Sequence, residues 1–132
     1  MRRSGIWKHL VAQKRFRING LPQYWDVCVW DTNRALKGVL ERNNGIANGE
    51  VLGVTIPSEG TGDSLGEIHF CKTSWNDKVV AHEVEHATLH TMRVFGISTD
   101  DSIPNEERVC YMHARLFHEV YSWLWAVTEG ER

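Results

Sequence analysis

Residues 82–86 read His-Glu-Val-Glu-His, and no other stretch of the chain restricts its fold as much. Histidines four residues apart lie on one face of a helix, near enough to hold one metal ion. Glu83, offset by about 100° from His82, reaches the same point. The flanks agree with a helix. Ser74, followed three residues later by Asp77 and then by an apolar run, opens a segment of about 75–95, and Gly96 stops it. A fold that keeps this helix useful must bury one side of it and leave the histidine side open.

The rest of the chain supplies what would cover the buried side. Tyr24–Trp30 is rich in aromatic and β-branched residues and reads as a strand. Asp31 or Thr32 caps a helix over 33–42, where Ala35, Leu36, Val39 and Leu40 recur at helical spacing before Asn43 and Gly45 end it. Residues 51–57 and 65–72 read as two more strands, separated by a Gly/Ser-rich loop. Pro104 or Asn105 opens a last long helix to about Val127. Strands first and two helices after predict an α+β fold, a small mixed sheet packed on the histidine helix and the C-terminal helix. Without a repeat or a dividing linker, 1–132 reads as one domain.

Charge and cysteine usage narrow the setting. The formal charge is −2, but residues 1–20 hold Arg2, Arg3, Lys8, Lys14, Arg15 and Arg17 and no acid. They read as a basic N-terminal arm, either solvated or directed at nucleic acid or an acidic partner. Cys28, Cys71 and Cys110 are odd in number and form no CxxC pair, which points to a reducing compartment. With no stretch long enough to span a membrane and no apolar signal segment, a cytoplasmic protein is expected.

Two histidines leave a metal site incomplete, because a catalytic zinc takes three protein ligands and keeps its fourth position open. Eighteen residues separate His86 from Asn105, and Glu106 follows. With Glu106 at 0° and about 100° per residue, Val109, Cys110, Leu116, Phe117, Val120 and Leu124 all fall within about 80° of it, so Glu106 is expected on the inward face and Glu107 at its edge. A carboxylate placed there needs a partner, and a metal ion provides one.

The motif HExxH, 18 residues, then Asn-Glu resembles the gluzincin, or thermolysin-like, zinc metallopeptidases. In length the chain is more similar to the small single-domain zincins of phages and prophages, for which the setting would be the host cytoplasm. The resemblance implies Zn2+ held by His82, His86 and Glu106, with Glu83 as the base that activates water. The thermolysin-like pattern has an orienting Asp four residues after the ligand glutamate. Here Cys110 stands in its place, and a buried core cysteine is expected.

The pentapeptide also reads in the inverted order HxxEH, since Glu85 precedes His86. The two glutamates lie about 80° to either side of the histidine pair, so helical geometry alone does not choose between them. The downstream Asn-Glu favours Glu83 as base. A hydrogen-bond donor for the developing oxyanion is also required. His113, on the inner face of the last helix, is one candidate, and His90, Tyr111 and Tyr121 are others. The 65–72 strand, with Gly66, is a candidate edge for a peptide to join. The expected function is hydrolysis of peptide bonds in a narrow set of intracellular protein substrates. The alternative is a non-catalytic zinc domain that binds a protein partner or accompanies nucleic acid.

Overall fold

The computed structural model describes residues 5–43, 45, 51–60, 62–97 and 103–129. A 3-10 turn, Gly5–His9, leads into β1 (Leu10–Arg17), followed by β2 (Tyr24–Trp30), α1 (Asn33–Arg42), β3 (Gly53–Pro57), β4 (Ser64–Cys71), α2 (Asp77–Phe95) and α3 (Ile103–Thr128). The fold is α+β. Its four strands form one mixed sheet in the order β1-β2-β4-β3. β1 is antiparallel to β2, β2 parallel to β4, and β3 antiparallel to β4. The parallel pair follows from the connection: α1 crosses one face past β4, β3 runs back antiparallel to β2, and the hairpin returns β4 in the direction of β2.

Period-two alternation sorts β2 and β4 between two cores. Trp25, Val27 and Val29 of β2 and Ile68 and Phe70 of β4 face α2 and α3, where they meet Val80, Val84, Ala87, Leu116, Val120 and Leu124. On the opposite face Cys28, Trp30 and Cys71 pack with Ala35, Leu36 and Val39 of α1 and Val54 of β3. Both faces of β2 are therefore buried, which is why its sequence reads as a nearly unbroken apolar run. Trp25 also ties the sheet to α2, donating its indole N–H to Thr91 Oγ1 at 3.0 Å. No helix among the described residues is long and apolar enough to cross a membrane.

Three features depart from the sequence reading. Residues 10–17, expected within a basic arm, form β1, whose register runs from Leu10↔Trp30 to Arg17↔Tyr24. As an edge strand it turns Lys14 and Arg15 to water while Phe16 is buried, so its charges hide the alternation. Arg15 Nε is held by Asp26 at 3.1 Å and its guanidinium lies 3.7 Å over Tyr24. Second, β4 is an interior strand paired on both sides, and the edge beside α2 is β3.

The third departure concerns α3. Cys110 is exposed, not buried in the core, and Glu106 is exposed as well. The buried residues Leu116, Val120, Leu124 and Thr128 advance in steps of four, and each step drifts about 40° around the helix. The N-terminal half meets α2, where His113 pairs with Glu85. The C-terminal half meets β1, where Trp123 packs edge-on against Phe16, and also the segment leading into α2, where Trp75 packs on Tyr121 and Trp125 and donates its indole N–H to Thr128. In the first turns the inward side carries half-buried Asn105 and Val109. Averaging over the whole helix rotates the apparent centre toward Glu106 and Cys110.

Candidate metal centre

The geometry of the site begins with the ends of α2. Asn76, in extended conformation, accepts from Val79 N–H at 2.9 Å and caps the start. Gly96, at φ 67°, closes the end: its N–H bonds Arg93 C=O, and Ile97 N–H reaches back to Met92 C=O. These two bonds form a Schellman motif, which requires the left-handed residue that glycine supplies. Val79, Val80, Val84, Ala87, Thr88, Thr91 and Met92 bury one side against the sheet and α3. His82 and His86 are exposed on the other.

The two imidazoles converge. Their Nε2 atoms lie 3.2 Å apart, with the rings nearly perpendicular at 85°. Two nitrogens bound at 2.0–2.1 Å to a tetrahedral ion stand about 3.3 Å apart. The separation of the pair is thus the one that chelation of a single metal ion requires.

Glu83 occupies the wall beside the pair, only 6% exposed. Its Oε1 accepts a 2.6 Å hydrogen bond from Thr55 Oγ1 of β3, and its Oε2 lies 4.0 Å from His82 Nε2. One carboxylate oxygen is thereby anchored to the strand while the other faces the histidines. Room for this comes from Gly53: a Cβ there would fall 2.8 Å from Glu83 Cγ and 3.0 Å from Val79 Cγ1. Neither Gly53 nor Thr55 was singled out by the sequence. The available signal was a glycine inside a predicted strand, which marks a close approach.

These groups line a cleft of about 320 Å³ between α2, β3 and the end of α1, whose walls include Leu40, Pro57, Leu89, His90 and Arg93. His90 packs edge-on against Trp25 at 5.9 Å, and its Nε2 is buried without a hydrogen-bond partner.

The remaining site candidates lie elsewhere. Glu85 points to the α3 side, where its carboxylate is 3.2 Å from His113 Nε2. The two glutamates of the pentapeptide are thus divided, Glu83 to the cleft and Glu85 to the helix pair. His113 is engaged by Glu85 and does not line the cleft. Tyr111 and Tyr121 belong to α3 and do not line it either. Glu106 and Glu107 are both exposed in the first turns of α3. Among the described residues no three His, Cys, Asp or Glu side chains converge on one point, so the structure does not gather Glu106 with His82 and His86.

A second polar chain lies on the α1 face of the sheet. Trp30 Nε1 donates to His69 Nδ1 at 3.0 Å, which leaves the His69 proton on Nε2, 3.0 Å from Glu67 Oε1. The hydrogen bond from His69 holds the Glu67 carboxyl below its ordinary range. Cys28, in register with His69, has its thiol pushed up to about 12 by burial, with Glu67 and Asp26 adding to the effect. This cluster is satisfied internally and its thiol is inert at neutral pH.

Protein-family models, curated proteins and solved structures give no match to the chain.

Proposed function

We propose that the chain is a minimal zincin-like, zinc-dependent peptidase of gluzincin type, acting on a narrow set of protein substrates in the cytoplasm. The observation that carries this reading is the relation of Glu83 to the histidine pair. A buried carboxylate is anchored at one oxygen, presents the other to two convergent imidazoles, and opens on a cleft beside an edge strand.

His82 and His86 would hold the ion through Nε2. Zinc supplies Lewis-acid activation of water and of a peptide carbonyl at neutral pH. Glu83 accepts a proton at Oε2 as water attacks and returns it to the departing amine, so it serves as base and then as acid. Thr55 keeps Oε1 occupied and thereby selects the oxygen that receives the proton. β3, paired among the described residues only to β4, offers its other edge to an extended peptide. Glu106 is the third ligand in this reading on the strength of its spacing alone.

Replacing Glu83 with Gln, with zinc content measured in both proteins, tests the reading. Retained zinc with loss of all Glu83-dependent cleavage of peptides supports it. Retained zinc with no Glu83-dependent cleavage leaves a non-catalytic zinc domain. That second reading is favoured by one observation, the separation of Glu106 from the pair. Glu106→Gln, which removes a charged ligand, is expected to weaken zinc affinity sharply and Glu107→Gln to leave it unchanged, both read by competition with a chromogenic chelator.

A further inference from the structure

The cleft does not end at the histidines. With His82 at 0° and about 100° per residue, His86 lies near 40°, His90 near 80° and Arg93 near 20°, so one stripe of α2 runs from the metal pair to the end of the helix. His90 and Arg93 both line the cleft. His90 Nε2 is buried and has no hydrogen-bond partner among the described residues, so an ordered water or a ligand group is needed to complete it. Arg93 is exposed and has no acidic partner among the described residues.

The strand opposite offers an edge for an extended peptide, and antiparallel pairing, the more stable of the two ladders, sets the direction of that peptide. Gly53, at the start of β3, abuts Val79 and Glu83. Thr55 reaches Glu83. Pro57, at the end, pairs with Gly66, which lies against Trp25, and Trp25 meets His90 and Thr91. β3 therefore runs in the same direction as α2, from the metal pair toward Arg93. A peptide added antiparallel to β3 enters from the Arg93 end, with its N-terminal residues beside His90 and Arg93. Seven residues of helix from His86 to Arg93 span about 10 Å. At about 3.3 Å per extended residue, that is about three residues of peptide.

We propose that His90 and Arg93, facing Pro57, form a subsite for an acidic side chain three to four residues on the N-terminal side of the reacting peptide bond, an assignment that rests on the peptidase reading above. Arg93 supplies the charge and a planar fork matched to a carboxylate. His90, on the same stripe of α2, forms the polar wall beside it. Apolar Leu40 and Leu89 flank the approach, so the preferred segment is apolar near the reacting bond and acidic beyond it.

The test uses dodecapeptides randomised around a central position, incubated with the full chain saturated with zinc chloride, with cleavage sites read by mass spectrometry. Arg93→Gln and Arg93→Glu chains are run in parallel, with thermal melts as a folding control. In a second arm, anisotropy follows binding of a labelled acidic peptide and its lysine counterpart to the Glu83→Gln chain, with and without Arg93→Glu. The expected result is enrichment of Asp and Glu three to four residues N-terminal to the cut. Arg93→Gln should lower cleavage of acidic peptides about five- to tenfold, and Arg93→Glu should shift the preference to Lys and Arg. Glu83-dependent cleavage with no acid preference, with the preference on the C-terminal side, or with indifference to Arg93 overturns the subsite and leaves the peptidase standing. Absence of cleavage with Arg93-dependent binding of the acidic peptide overturns the peptidase and with it the subsite's place relative to a reacting bond, and leaves an acidic-peptide binding site at Arg93. If neither cleavage nor charge-dependent binding occurs, both are overturned.

Discussion

Gly53→Ala isolates the role of Glu83 better than any change to the glutamate itself. The added methyl carbon would sit 2.8 Å from Glu83 Cγ, 3.1 Å from its Cδ and 3.0 Å from Val79 Cγ1. Ordinary carbon contacts begin near 3.5 Å, so the glutamate stem must retreat by about 0.7 Å or more. The backbone at Gly53 is not in the left-handed region, so alanine is tolerated there and the conflict lies with its neighbours alone. Overpacking of this kind destabilises by about 1–3 kcal/mol, offset in part by the stiffer unfolded chain, worth about 0.4–1 kcal/mol. A displacement approaching 1 Å at a reacting group lowers the rate about 100-fold. The expected outcome is a folded protein with zinc affinity unchanged, since His82 and His86 do not meet the new methyl. Glu83-dependent peptide cleavage should fall by one to two orders of magnitude, mainly in kcat. Full activity in Gly53→Ala, or a loss of zinc equal to the loss of rate, would refute the argument that Gly53 makes room for the base.

Thr55→Val removes the hydroxyl that anchors Glu83 Oε1 and should lower kcat about 10-fold, with Thr55→Ser restoring most of it; equal rates in all three proteins would exclude a positioning role. Of the three thiols only Cys110 is exposed, so a maleimide at pH 8 should label one site in the native chain and three after denaturation; rapid native labelling of Cys28, whose thiol is pushed up to about 12, would contradict its burial. The Glu67 carboxyl is held below its ordinary value by His69, so its contribution to stability is present above the unfolded value of about 4.3 and fades as pH falls through the lower folded one. Glu67→Gln should flatten the acid side of the melting-temperature profile, and a profile unchanged below pH 5 would show that the pair contributes nothing.

Where one physical signal dominated, the sequence was readable almost to the residue. β2 and α1 lie where aromatic and β-branched density and the Thr32 cap place them, with Thr32 Oγ1 accepting from Ala35 N–H at 3.1 Å. β1 escaped because an edge strand satisfies two requirements at once. Leu10 and Phe16 face the protein, while Lys14, Arg15 and Arg17 discourage a further strand from pairing on the open side. Those cations, counted as charge, look like a disordered arm. Gly66 was noticed for the right physical reason and given the wrong role. Its φ of 139° and the approach of Ile56 C=O mark an irregularity inside the sheet, next to the register shift at Tyr24/Trp25, whereas the glycine that shapes the cleft is Gly53.

The same distinction explains why the placement of some candidate site residues was legible and that of others was not. His82, Glu83 and His86 belong to one helix, so their mutual placement follows from about 100° and 1.5 Å per residue and needs no tertiary information. The choice between Glu83 and Glu85 does need it. Which side of α2 meets β3 and which meets α3 is decided by the sheet order, and a helical wheel is symmetric about the histidines. Glu106 depends on more still. Its position combines the path of residues 98–102, which lie outside the described residues, with the rotation of a 26-residue helix that packs along α2 and, in its C-terminal half, on β1 as well. A single wheel assumes one partner along the whole length. For α3 that assumption fails, because a buried stripe stepping by four residues turns about 40° each time. Leu124 lies in line with Glu106, but followed back to Leu116 the inward direction has already turned about 80° away from the glutamate. A ligand assigned from spacing across two helices is therefore only as secure as the crossing between them. Zinc affinity, measured separately for Glu106→Gln and Glu107→Gln, reports on that crossing directly.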